Sequence, residues 1–238
     1  MDPWRRIARL IVRTVFRVLF RTRIEGTAPR RGPYLLIANH QGWADAFLLI
    51  ALLPAEPQIH FLADRTATMT VWWKRMLLRS LGVVVTVARD GSSERGAITA
   101  ALDLLKRGDV VALFPEGRVS RAELGICPDC AKLGRDLHRD DHGHVTRELA
   151  PFARGVGYLA LKAGVPILPV WLQGTAELYV GRELVVRVGA LVPPATVPLT
   201  KPATEAIAAA LYSHVARLAR PWSEPVGPRR LRWLTHLF

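Results

Sequence analysis

YLLIANHQGWADAFLLIALL, residues 34 to 53, sets two apolar runs on either side of the polar stretch ANHQGWAD. The first run, YLLIA, is short and continuously apolar, as a strand covered on both faces is. The second, beginning at Ala44, is long enough for a helix. The loop after YLLIA carries Asn39, His40 and Asp45. A histidine whose free pKa is about 6.5 suits proton abstraction from a hydroxyl, and a carboxylate on its other ring nitrogen fixes the tautomer. Five residues along an ideal helix separate two side chains by about 140°, so the two meet only if His40 lies in the turn before the helix starts. Alone, HxxxxD is a weak pattern, better read as the polar furniture of a turn.

The same alternation continues outward. VVVTV (83 to 87), a turn RDGSS, a helix carrying Ile98, Ala101, Leu102 and Leu105, and the strand VVALF (110 to 114) follow, with a further helix predicted over MTVWWKRMLLRSLG ahead of Gly82. A helix near 153 to 163, the strand VPILPVWL (165 to 172), the strand LVVRVG (184 to 189) and a closing helix TEAIAAALYSHVARLAR complete the pattern. Strands alternating with helices predict an α/β fold, a single domain whose mixed, mainly parallel sheet is covered by helices. The chain's 238 residues are enough for one such core.

Thirty-three basic residues, mostly arginine, stand against 20 acidic ones, a net charge of +13. That excess suits a polyanionic partner, either nucleic acid or an anionic membrane surface. The first twenty-three residues read as one helix with Arg5, Arg9, Arg13, Arg17 and Arg21 at every fourth position among Ile7, Leu10, Ile11, Phe16, Val18, Leu19 and Phe20. Such a helix is suited to the membrane interface, with arginines reaching lipid phosphates, or to packing on the domain with its arginines solvated. No stretch reaches the roughly 18 uncharged apolar residues of a spanning helix, and no signal-peptide pattern is present. The expected location is the cytoplasmic side of the cell membrane, peripheral or monotopic. The expected division is 1–28 as the surface helix, 29–220 as the main domain and 221–238 as a basic aromatic tail. That tail, ending GPRRLRWLTHLF, is either a second surface contact or a frayed terminus.

Functional groups in sheets of this kind gather at the carboxyl ends of strands. Besides His40 and Asp45, the loop after VVVTV holds Arg89, able to grip phosphate bidentately, and the loop after VVALF reads FPEGRVSR, with Glu116 between Pro115 and Gly117 in a tight turn. ANHQGWAD, RDG, FPEGRVSR and AGVPILPV, in that order over residues 30 to 190, resemble the glycerolipid acyltransferase family typified by the bacterial 1-acylglycerol-3-phosphate acyltransferases.

The resemblance implies that His40 is the base activating the free hydroxyl of a lysophospholipid acceptor, lysophosphatidate, for attack on an acyl thioester, with acyl-CoA or acyl carrier protein as donor and Asp45 as its partner. It likewise implies acceptor binding by Arg89, Glu116, Gly117 and Arg118, an apolar fourth block at Val165 to Val170, and a phosphate contact for Arg154. No cofactor is required for this chemistry. Two departures stand out: Gly42 where the family commonly has serine, and Arg118, Val119, Ser120 where it often reads TRS. Both bear on the acceptor, which could be another lysolipid or a glycolipid.

A third departure is an insertion, 121–149, holding Cys127, Cys130, His138 and His142 as C-x2-C-x7-H-x3-H, with His144 as a further candidate. The spacings suit a structural zinc site folding a flap, or a metal-free polar loop. A zinc-containing nucleic-acid-binding protein is the alternative from another class. Asp129, Asp136, Asp140, Asp141 and Glu148 make the insertion acidic, which argues against a DNA-facing module.

Overall fold

A computed structural model describes residues 3–64, 81, 84–87, 92–116, 149–220 and 229–236. In chain order the elements are α1 (Pro3–Leu19), β1 (Arg21–Glu25), β2 (Tyr34–Ala38), α2 (Ala44–Leu52), β3 (Ile59–Asp64), β4 (Val84–Val87), α3 (Ser92–Lys106), β5 (Val110–Leu113), α4 (Arg154–Ala163), β6 (Ile167–Gln173), β7 (Glu183–Val188), α5 (Lys201–Ala216) and a closing 3-10 turn (Arg232–His236). The seven strands form one sheet in the order β1-β7-β6-β2-β5-β3-β4. Every neighbouring pair is parallel except β6 and β7.

β2 is buried along its whole length. Its period-two alternation divides the core: Tyr34, Leu36 and Ala38 point into the layer shared with α1 and α2, while Leu35 and Ile37 point into the layer shared with α3, α4 and α5. β5 divides likewise, Val110 and Ala112 against Val111 and Leu113. With both faces covered, no position in these strands tolerates water, which is why their sequences are unbroken apolar runs. The expected α/β sheet covered by helices is the fold found.

Three local expectations change. The first helix ends at Leu19, short of the expected residue 23, because Arg21–Glu25 pairs in parallel with β7 as an edge strand, from Arg21 opposite Glu183 to Glu25 opposite Arg187. Arg187 explains why so polar a strand is held: its guanidinium donates to Glu25 at 3.0 Å and to Gln173 at 2.5 Å. β3, IHFLAD, is a strand that periodicity did not single out. The closing helix starts at Lys201, three residues before the expected Thr204, where the Thr200 side chain caps it by accepting from the Ala203 amide and Pro202 sits in the first turn. The expected helix over MTVWWKRMLLRSLG lies outside the described residues.

α4 and α5 touch backbone to backbone. A methyl group at Gly157 would run into the Thr204 carbonyl, whereas one at Gly155 would meet nothing within 4 Å. Gly157→Ala is therefore expected to lower the unfolding free energy by about 2 kcal/mol, while Gly155→Ala leaves it level or raises it by about 0.5 kcal/mol. Urea denaturation of the two variants measures the contrast.

Candidate active site

β6, β2 and β5 are parallel neighbours, so their carboxyl ends open on one edge of the sheet, with Ala38 opposite Val170 and Ile37 opposite Leu113. The three segments that follow are thereby forced together. Asn39 ties the first to the third: its side-chain amide donates to the Leu172 carbonyl at 2.9 Å and its Oδ1 accepts from the Leu172 amide at 2.6 Å. Gln41 meets the Thr175 hydroxyl at 3.4 Å.

His40 thus sits in the turn ahead of α2, and Asp45 in that helix's first turn. The imidazole Nδ1 lies 2.7 Å from Asp45 Oδ2. The same oxygen accepts from the backbone amides of Gln41 at 2.6 Å and Gly42 at 2.9 Å. Asp45 is fully buried, so its charge is met by three convergent donors and the amino end of α2. A carboxylate only accepts, hence Nδ1 carries the proton and the Nε2 lone pair is left for chemistry. The amides of Gln41 and Gly42, already committed to Asp45, are not the donors for an oxyanion.

One face of the imidazole and the backbone amide of His40 are also fixed. Phe114 stacks on it, ring centroids 4.3 Å apart and 13° from parallel, and Phe61 stacks in turn on Phe114 at 6.1 Å. Glu116 Oε1 accepts the His40 backbone amide at 2.6 Å, and its Oε2 accepts the Ala150 amide at 3.3 Å. Glu116 therefore links the β2 loop, the β5 turn and the chain entering α4. That last segment is joined again by the Ala153 amide donating to the Pro115 carbonyl.

Gly42 has a structural cause: a Cβ there would stand 2.8 Å from the Thr175 carbonyl oxygen. Trp43, next along, donates its indole N–H to the Leu234 carbonyl at 3.0 Å, so the closing 3-10 turn abuts the same loop.

The sequence-derived site residues distribute unevenly. His40, Asp45 and Glu116 come together. Arg154, the first residue of α4, ion-pairs with Glu205 on α5 at 3.6 Å. Arg89, Gly117 and Arg118 lie outside the described residues, as do Cys127, Cys130, His138, His142 and His144. β4, which ends two residues before Arg89, lies three places from β2 on the same open edge, about 14 Å away at ordinary strand spacing. Among the described residues no group of His, Cys, Asp and Glu side chains is placed to hold a metal. Phe114 and Thr175 are contributors that sequence reading passed over, and Asn39, noted there only as a loop residue, is the one that ties the loop to β6. A polar Asn and an aromatic bracketing apolar strand ends were the available signals.

The family model "Acyltransferase" matches residues 20–173. A chloroplastic 1-acyl-sn-glycerol-3-phosphate acyltransferase of Brassica napus is 27% identical over 146 residues, covering 61% of this chain and 34% of its own. The 1-acyl-sn-glycerol-3-phosphate acyltransferase of Bacillus subtilis is 25% identical over 157 residues, 66% of this chain and 62% of its own. This chain thus spans from about a third to three-fifths of the length of these two curated relatives. Among solved structures, the 1-acyl-sn-glycerophosphate acyltransferase PlsC of Thermotoga maritima shares the fold, with a TM-score of 0.62, 20% identity, and coverage of 92% of this chain and 81% of the other.

Two outcomes are expected from the site's geometry. Nitrogen NMR of neutral His40 reports the Nδ1–H tautomer, and Asp45→Asn abolishes that preference. Gly42→Ala, by displacing the Thr175 carbonyl, costs about 1–3 kcal/mol of stability in thermal or urea unfolding.

Proposed function

The chain belongs to the acyltransferase family, and from that footing we propose that it moves a fatty acyl group from an acyl thioester to the free hydroxyl of lysophosphatidate. The observation that carries this reading is the 2.7 Å contact between His40 Nδ1 and Asp45 Oδ2 at the carboxyl end of β2. Nε2 accepts the hydroxyl proton as the oxygen attacks the thioester carbonyl, and Asp45 stabilises the imidazolium that forms. The tetrahedral intermediate collapses, the carbon–sulfur bond breaks, and the imidazolium returns the proton to the departing thiolate. A thioester is already activated, so a base and an oriented hydroxyl supply most of what is needed. Coenzyme A and acyl carrier protein are both donors of the required chemistry.

The reading includes a membrane partner. Among the described residues no helix is long and apolar enough to cross a bilayer, and α1 is built to lie along one. Its Ala8, Val12 and Phe16 are buried in the core. Trp4, Ile7, Leu10, Ile11, Val15 and Val18 are exposed, from 45% for Val15 to 74% for Val18, and occupy about 140° of arc at 3.6 residues per turn. Arginines run between the two apolar faces. Arg5 donates to Gln58 at 2.8 Å and Arg9 to the Leu53 carbonyl, fastening α1 to the end of α2 and to the residue before β3. Arg6, Arg13 and Arg17 remain exposed, flanking the outer apolar face as interfacial helices require. The packed and interfacial readings of this helix are thus complementary, one for each face.

His40→Ala is expected to lower acyl transfer to lysophosphatidate by about a thousandfold; full activity in a purified, folded variant removes the mechanism. Lysophosphatidate should outperform other lysolipids and glycerol 3-phosphate in the same assay. Ile11→Ser with Val18→Ser, both on the outer face, should lower co-sedimentation with phosphatidylglycerol vesicles without lowering the melting temperature. Deleting α1 is the weaker experiment because it strips the core of Phe16.

A further inference from the structure

The closing segment, Arg229–His236, has an inner side that is thoroughly anchored. Leu234 is buried in the α1–α2 layer of the core. Thr235 Oγ1 accepts from the Leu178 amide at 2.9 Å and donates to the Leu178 carbonyl at 3.2 Å. Glu177, itself buried, is gripped by Arg229 at 2.7 Å and by Arg232 at 2.5 Å. Nearby, Arg182 donates to the Tyr179 hydroxyl at 3.0 Å, and burial pulls its pKa down to about 10. A fraying terminus has none of these contacts.

Its outer side has two large apolar residues in water. Trp233 is 58% exposed and Leu231 46%, and Leu231 is the one non-glycine residue with a positive φ, 59°, among the described residues. An unfavourable conformation at an exposed leucine has no packing explanation among the described residues.

The position of this patch gives it an occupant. The Leu19 carbonyl, at the end of α1, accepts from the Gly181 amide at 2.7 Å, and the next residue back, Val180, donates its amide to the Arg230 carbonyl at 2.9 Å. Two backbone hydrogen bonds thus carry the surface from exposed Val18, through Val180, to Leu231 and Trp233. The end of α1 and the tail segment are backbone neighbours across residues 180 and 181, with exposed Val18 and Arg17 on the one side and exposed Arg230, Leu231 and Trp233 on the other.

We propose that the 3-10 segment at Arg229–His236 is a second bilayer contact, which extends the α1 face around the catalytic mouth and inserts Leu231 and Trp233 at the interface of an anionic membrane. Trp favours that depth, where its ring is dehydrated and its N–H stays wet, and the bordering arginines match lipid phosphates. The Trp43–Leu234 hydrogen bond fixes this contact two residues from Asp45 on the active-site loop. A bilayer seated on both elements lies beside His40, where an acceptor anchored by its acyl chain must present its hydroxyl. The inference rests on the interfacial reading of α1 given above.

The test uses the full chain and compares Trp233→Ala and Leu231→Ala with the parent on vesicles of phosphatidylglycerol with phosphatidylcholine, and on phosphatidylcholine alone. Trp233→Ala is expected to weaken partitioning to the anionic vesicles by about tenfold, with an unchanged melting temperature and unchanged transfer to a short-chain acceptor presented below its micellar concentration. Parent-like partitioning of both variants overturns the proposal. If partitioning is unchanged and Trp233→Ala instead lowers the oligomeric state in sedimentation velocity, the patch binds a second copy and the proposal is equally overturned. Absence of acyl transfer in the parent removes the enzymatic reading alone, since the partitioning comparison does not depend on it.

Discussion

Everything near the candidate site is arranged around one buried oxygen, Oδ2 of Asp45. A carboxylate removed from water is tolerable only if its charge is met by well-placed donors. Here the His40 ring nitrogen and the amides of Gln41 and Gly42 converge on that atom, all within 2.9 Å. Drawing two successive amides toward one side chain curls the chain ahead of α2, and that curl is what lets two residues five apart face each other. The imidazole is therefore oriented by the fold before any substrate arrives, as an effective base needs to be.

The curl would be unsupported without the neighbouring strands. Asn39 bridges to the backbone of Leu172, Glu116 holds the His40 amide, and Phe114 covers the ring. These come from β6 and β5, the two strands flanking β2, so the parallel pairing of three strands is what brings the pieces to one edge. Glu116 illustrates the gain over a motif: both its oxygens hold backbone amides, making it a brace for the loop.

The far side of the α1–α2 layer shows the same economy of parts. α1 buries one stripe to complete the core and leaves another outside, while Arg5 and Arg9 fasten it to residues 53 and 58. A helix of this composition looks simply membrane-seeking in a sequence. Its contribution to the protein core becomes visible only once Val12 and Phe16 are seen buried among the residues of α2 and β2.

The sequence by itself determined the layered α/β fold and the location of the candidate His40–Asp45 pair. Apolar runs covered on two faces, punctuated by polar loops, allow few other arrangements, and HxxxxD sits at the end of such a run. It could not disclose β1, because RTRIE carries no apolar pattern and is a strand only through β7 and the Arg187 anchor. Nor could it explain Gly42, whose missing side chain answers to a carbonyl 133 residues away in sequence. It left the C-terminal tail open between contact and fraying, since Glu177, Leu178 and Trp43 meet it only in three dimensions. Periodicity records what a residue must hide from water, a local property. Which partner satisfies a buried polar group is settled by strand order, and strand order belongs to the tertiary structure.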